Sequence, residues 1–164
     1  MTEIIKNVNS RELDPEIERL LWQRNLDRAE QRARKKVILR KNSLNLYSLA
    51  LALATIGFLK NNSRKKTSAI KYYKEIIKLF PLSLHAYLAK ARLYEEKKHL
   101  KKALPFYKQA FRKYPTARNA VHIGNIYRQL HRKSLAKKYY RLAEKLEKGS
   151  AVHHLTAISK ENKR

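Results

Sequence analysis

The sequence predicts an all-α fold: a solenoid of helical hairpins, preceded by an N-terminal helical arm and closed by a C-terminal capping helix. Three observations carry that expectation. Small and aromatic residues recur together at a spacing close to one helical hairpin. The apolar periodicity is helical rather than alternating throughout. The 164 residues include only three Gly and four Pro, too few for a loop-rich or low-complexity chain.

The recurrence is tight. Its clearest copy reads Tyr87, Ala91, Tyr94, Ala103, Tyr107, Ala110 and Pro115. An earlier copy gives Leu53, Gly57, Ala69, Tyr73, Ile76 and Pro81, and a later one gives Ala120, Gly124, Tyr127, Ala136, Tyr140 and Ala143. Gly57 to Ala91 and Ala69 to Ala103 are both 34 residues; Ala91 to Gly124 and Ala103 to Ala136 are both 33. A small residue at one place on each helix lets two backbones approach, and aromatics fill the space beside them. Pro81 and Pro115 then stop the second helices. With the adjacent aromatics Tyr72–Tyr73, Phe106–Tyr107 and Tyr139–Tyr140, this pattern resembles the tetratricopeptide repeat, a helix-turn-helix unit of about 34 residues. The resemblance spans residues 50–148 and implies a tetratricopeptide-type solenoid. Its three repeats fall at about 50–83, 84–116 and 117–148 within a segment 43–148. Leu53 and Ala120 stand where the family prefers a large aromatic, and Lys60 and Lys90 also depart from its pattern.

Outside the repeats, residues 1–13 have no periodic apolar face and are expected to be a flexible N-terminus. Asp14 offers an N-cap, with Pro15 at the first helical position and Glu16 and Glu18 in the first turn, so one helix is expected from there to about Lys41. It forms an arm over 14–42, with Trp22, Leu26, Ala29, Ala33 and Val37 in one stripe. Extending the period backward places Gln23 and Lys35 at the small positions, so the arm is not read as a further repeat. Leu44–Leu59 is nearly all apolar between Lys41 and Lys60. It is near the lower length limit for a bilayer span of about 17–25 residues, and Gly57 sits in repeat register, which favours a buried repeat helix. Pro105 predicts a late start or a bend in its helix. Gly149 ends the last repeat and Ser150 caps a final helix in 149–164, whose apolar edge is Val152, Leu155 and Ile158. No secretory leader is read at the charged amino terminus.

Charge is the second informative quantity. Thirty-nine Lys and Arg against 13 Asp and Glu give +26, far beyond what solubility requires. Residues 1–30 hold five basic and seven acidic side chains, so the remainder is a basic body behind a mildly acidic head. Without Cys there is no disulfide framework, thiolate catalysis or Cys-ligated zinc, which fits an intracellular protein, cytoplasmic or in an organelle interior.

No enzyme is read. Three glycines cannot build a phosphate loop or dinucleotide turn, and Glu95–Glu96 faces no opposing base. The adjacent pair His153–His154 points about 100° apart on a helix and is read as solvated rather than metal-binding. No cofactor is expected. Tyr73, Tyr94, Tyr107, Tyr127 and Tyr140 are expected in the core, leaving Tyr47, Tyr114 and Trp22 unassigned.

The resemblance implies that second helices form the convex side and first helices the concave side. Candidate polyanion-binding residues on the second helices and the turns into them are Lys65, Lys66, Lys97, Lys98, Lys101, Lys102, Lys108, Arg112, Lys113, Arg132, Lys133, Lys137 and Lys138. Candidate groove residues are Leu51, Ala54, Phe58, Leu88, Arg92, Arg118, His122 and Asn125. Ala54 and Phe58 occupy places where carboxylate-clamp members of the family carry polar residues, so that clamp is missing. The groove is expected to take a helix, either the arm's own stripe or a partner's. The leading expectation is a non-catalytic scaffold docking through its basic convex side on RNA, within a ribonucleoprotein such as a ribosome. The alternative is an adaptor for an acidic protein or partner helix. A peripheral membrane-side assembly factor is one version, similar in repeat number to small three-repeat photosystem assembly proteins.

Overall fold

A computed structural model describes residues 13–161. It contains α1 (Pro15–Trp22), α2 (Leu26–Leu39), α3 (Ser43–Leu59), α4 (Ser63–Leu79), α5 (Leu84–Glu96), α6 (Leu100–Lys113), α7 (Ala117–Gln129), α8 (Lys133–Leu146) and α9 (Val152–Glu161). No strand occurs among the described residues, and the expected all-α fold of helical hairpins holds. Most of the expected flexible N-terminus lies outside the described residues, as does the end of the tail. The chain divides within α5 into two compact units, Met1–Leu93 and Tyr94–Arg164.

In the first unit α1 begins where Asp14 and Pro15 dictate. The Asp14 carboxylate accepts from the Glu16 and Ile17 backbone N–H groups at 3.1 and 3.3 Å, while its own N–H donates to Ser48 Oγ at 3.1 Å, tying the arm to α3. The arm is not one helix, however. It breaks at Gln23–Asn25, where Arg24 adopts φ 56°. Trp22, the first residue of the expected stripe, is consequently 80% exposed, while Ala29 and Ala33 of that stripe are buried on α2 and Leu13, Ile17 and Leu20 are buried ahead of the break. The spacing of apolar residues continues undisturbed across the break, so periodicity alone conceals it.

Helix α3 is apolar on every side because it is enclosed on several. It packs against α1, α2 and α4, burying Leu46, Leu49, Leu53 and Ile56. Ser43 Oγ lies 3.0 Å from His85 Nδ1 of α5, and Tyr47 sits between the Tyr73 and His85 rings at 5.9 and 5.5 Å. Such burial, rather than lipid, accounts for the composition; no helix among the described residues is long and apolar enough to cross a membrane. Ala69, Tyr73 and Ile76 form the buried stripe of α4, which ends before Pro81.

In the second unit α6 buries Ala103, Tyr107 and Ala110, and α8 buries Ala136, Tyr140 and Ala143 at the same spacing. Pro105 does not delay α6, which starts at Leu100 and continues through it. Gly124 of α7 lies where a Cβ would stand 2.5 Å from Tyr140 Cε1; the glycine is required by the tyrosine ring. The last helix is capped differently from expectation. The Glu144 carboxylate accepts from the Gly149 N–H at 2.8 Å and from the Ala151 N–H, and Ser150 Oγ is buried without a hydrogen bond. Of the predicted edge, Ile158 is buried and Val152 is 53% exposed. His153 is exposed as expected, whereas His154 is half-buried and stacks on Tyr140 at 4.7 Å with an interplanar angle of 7°.

Four hairpin turns share one geometry. Arg24, Asn61, Lys98 and His131 each adopt positive φ between 47° and 58°. Each donates its N–H three residues back, to Leu21, Phe58, Glu95 and Arg128 carbonyls. The following residue donates five back, to Leu20, Gly57, Tyr94 and Tyr127. This is the helix-terminating Schellman arrangement, which normally employs Gly at the left-handed position. The arm is therefore a fourth hairpin with the same turn, contrary to its reading as a single added helix. Ala29, Ala103 and Ala136 each stand five residues after their turn residue, whereas Ala69 stands eight after Asn61. The first repeat thus turns three residues early. Gly57 consequently lies at the turn, where a Cβ would meet Lys66 N at 2.9 Å. At 3.6 residues per turn, the slip rotates the buried stripe of α4 about its own axis by roughly 60°.

Candidate functional site

Acidic residues of the arm pair with five of the first unit's cations. Lys36 meets Asp14 at 2.7 Å and Glu16 at 3.2 Å, Arg32 meets Glu16 at 3.1 Å, and Lys60 meets Asp27 at 2.9 Å. Glu30 holds Arg34 at 2.9 Å and both its oxygens take Lys65 Nζ; Glu75 of α4 holds Lys41 at 2.6 Å. Burial alone would raise the Glu30 pKa, but the hydrogen bonds and charges of Lys65 and Arg34 outweigh it and hold the carboxyl below its ordinary range. Burial likewise opposes the charge on Lys36, yet Asp14 and Glu16 raise its pKa. Lys65, one of the expected polyanion contacts, thus spends its charge on Glu30, and Lys66 is half-buried beside Gly57.

The second unit differs. Residues 94–164 contain nineteen Lys and Arg against five Glu. A cleft of about 440 Å³ opens between α6 and α8, lined by Lys101, Leu104, Pro105, Lys108, Gln109, Phe111, Arg112 and Tyr139. Lys108 Nζ also lies 5.3 Å from the Tyr127 ring centroid. On the outer face of α8 a second depression is lined by Ser134, Lys137, Lys138, Arg141, Leu142 and Lys145. Of the expected cations, Lys101, Lys108 and Arg112 converge on one cleft, and Lys137 and Lys138 line the other. Lys97, Lys98, Arg132 and Lys133 lie at or beside the hairpin turns, and Lys102 and Lys113 are exposed on α6.

The two depressions are the same face of successive second helices. Lys108 and Arg112 of α6 correspond, 33 residues on, to Arg141 and Lys145 of α8. In the first unit the same register, 34 residues earlier, gives Lys74 and Lys78, which line a cleft between α2 and α4 with Arg34, Lys41 and Lys71. A like-charged pair at i, i+4 is mildly destabilising, and here it recurs in three copies. The signal was present in the sequence as a second helical stripe beside the small/aromatic one.

The expected groove residues have other duties. Leu88 is fully buried and lines no open groove. Leu51 and Ala54 are half-buried and Phe58 is 78% exposed; Arg92 and Arg118 are half-buried. In the second unit His122 stacks on Tyr107 at 5.3 Å, and Asn125 Oδ1 accepts from the Tyr140 hydroxyl at 2.7 Å. The Tyr107 hydroxyl donates to Glu95 of α5. Two fully buried tyrosines are thus each anchored by a polar side chain of a first helix.

The family model of the tetratricopeptide repeat matches residues 84–115 and 117–149, the second and third copies. Residues 84–149 are thus two tetratricopeptide repeats. The first copy, with the early turn and rotated stripe, is outside the matched residues. A comparison with curated protein sequences finds no match. Among solved structures, one described as "MamA RS-1 ArsTM double mutant" is 19% identical, covering 98% of this chain and 84% of that chain with a TM-score of 0.57. That likeness concerns the fold. Tetratricopeptide repeats generally mediate protein–protein interaction and are generally non-catalytic.

Proposed function

We propose that this protein is a non-catalytic adaptor that holds an acidic protein partner against the outer faces of its second helices. One observation carries the reading: the cation pairs Lys74–Lys78, Lys108–Arg112 and Arg141–Lys145 recur at one register position. Self-repulsion repeated three times is relieved by an anionic ligand. Family behaviour favours a protein as that ligand. The net charge of +26 supports a second reading, in which the same faces bind RNA phosphates with little base recognition.

Affinity purification from nuclease-treated and untreated lysate separates the two. A stoichiometric protein retained after nuclease, and lost when Lys108, Arg112, Arg141 and Lys145 are replaced by Glu in a folded variant, supports the adaptor. Nucleic acid that copurifies, leaves with salt and carries any protein away with it supports the RNA reading. Retention of every partner by the charge-reversed variant sinks both.

A further inference from the structure

The cleft between α6 and α8 is not merely cationic. Its rim carries Lys101, Lys108 and Arg112, none of which pairs with a carboxylate among the described residues, and its floor is apolar. Leu104 and Pro105 supply an aliphatic surface beside Phe111 and Tyr139. The Tyr139 ring is already committed to neighbours, stacked on Tyr127 at 5.6 Å and meeting Phe111 edge-on at 6.5 Å. Single-stranded nucleic acid is held by aromatic platforms on which bases lie flat; here Phe111 and Tyr139 are half-buried against each other and Pro105 is the exposed apolar surface, which under a cationic rim suits a different ligand.

We propose that this cleft seats an acidic protein segment through one apolar side chain, which enters over Leu104 and Pro105 while flanking carboxylates pair with Lys101, Lys108 and Arg112. The inference rests on the adaptor reading and narrows its partner to an acidic stretch with an apolar anchor. The charges supply attraction and orientation. The buried anchor supplies discrimination between this segment and any other polyanion.

The test uses the full chain and three labelled probes read by fluorescence anisotropy: a short Glu-rich peptide with one central Leu, an all-Glu peptide of equal charge, and a single-stranded oligouridylate of equal charge. The Leu-containing peptide is expected to bind at least about tenfold more tightly than either other probe. Pro105→Ser should remove that preference while leaving all-Glu binding within about twofold, and Lys148→Glu, outside the cleft, should change neither. A photoreactive residue at Gln109 should crosslink to the Leu peptide and one at Lys148 should not; this readout decides the matter should Pro105→Ser fail to fold. Equal binding of the two peptides, or a crosslink from Lys148 alone, overturns the cleft proposal and leaves the adaptor reading standing. Tightest binding by the oligouridylate, with displacement of the peptide, overturns it in favour of RNA. Failure of all three probes to bind removes the adaptor reading as well.

Discussion

The Tyr140 hydroxyl donates to Asn125 Oδ1 at 2.7 Å while the same ring covers Gly124 and carries His154 on its other contact. One buried side chain therefore joins α7, α8 and α9. Tyr140→Phe should keep the packing and lose about 1 kcal/mol, the net worth of one hydrogen bond. Asn125→Ala should cost a similar amount. The double variant should cost less than the sum, which a double-mutant cycle of urea midpoints measures.

Gly124→Ala forces a Cβ into the Tyr140 ring, 2.5 Å from Cε1, and should destabilise by about 1–3 kcal/mol through overpacking. Gly149→Ala meets nothing within 4 Å but stands at φ +90°, so its cost is conformational, about 1 kcal/mol. Denaturant unfolding distinguishes them further, since only Gly124→Ala should perturb the near-ultraviolet tyrosine signal.

Three of the four hairpin turns place a residue other than Gly or Asn at positive φ. Lys98→Gly and His131→Gly should each raise stability by about 0.5–1 kcal/mol, because the left-handed strain of the larger side chain exceeds the entropy that Gly loses. Asn61→Gly should gain least, Asn being tolerant of that conformation. Shifts in the urea midpoint at constant slope are the measurement.

Acid should weaken the fold in two stages. Burial, then the charges of His153 and Arg128, hold the His154 pKa below its ordinary 6.5. The unfolded chain therefore binds that proton first, and the stabilisation present above pH 6.5 is lost as pH falls. Glu30, lowered from 4.5 by Lys65 and Arg34 against its burial, contributes stability above that value that disappears on further acidification. Thermal melts against pH should show both declines; His154→Phe should flatten the upper one and Glu30→Gln the lower.

The Glu144 carboxylate, held below its ordinary range by backbone N–H groups of Gly149 and Ala151, anchors the start of α9. Glu144→Gln should speed amide exchange at Ala151 and across α9 while leaving α7 unchanged. Exchange unaltered along α9 would remove the cap from the account.

How far the sequence could be read follows from which signals side chains carry. Ala103–Tyr107–Ala110 and Ala136–Tyr140–Ala143 mark close helix approaches, which only small residues permit, so the hairpins were legible. Asp14 and Pro15 marked a helix start for equally local reasons. The break at Arg24 was invisible because left-handed geometry there is imposed on an ordinary residue, and because Trp22, which is exposed, continues the sequence spacing of Leu26, Ala29 and Ala33. Leu88 was placed in a groove from family position, whereas burial depends on neighbours that no single-helix pattern reports. The cleft was half legible: its cations stood out, but its floor of Leu104, Pro105 and Phe111 became a site only when α8 brought Tyr139 beside them.

The early turn at Asn61 makes the first repeat a copy out of phase. The Lys74–Lys78 pair keeps its register to the buried stripe of α4, but the turn before it comes three residues early, and Lys65 nearby is already claimed by Glu30. On the adaptor reading, a ligand of the second unit's cation pairs displaces no internal ion pair among the described residues, whereas one that reached Lys65 would have to displace Glu30.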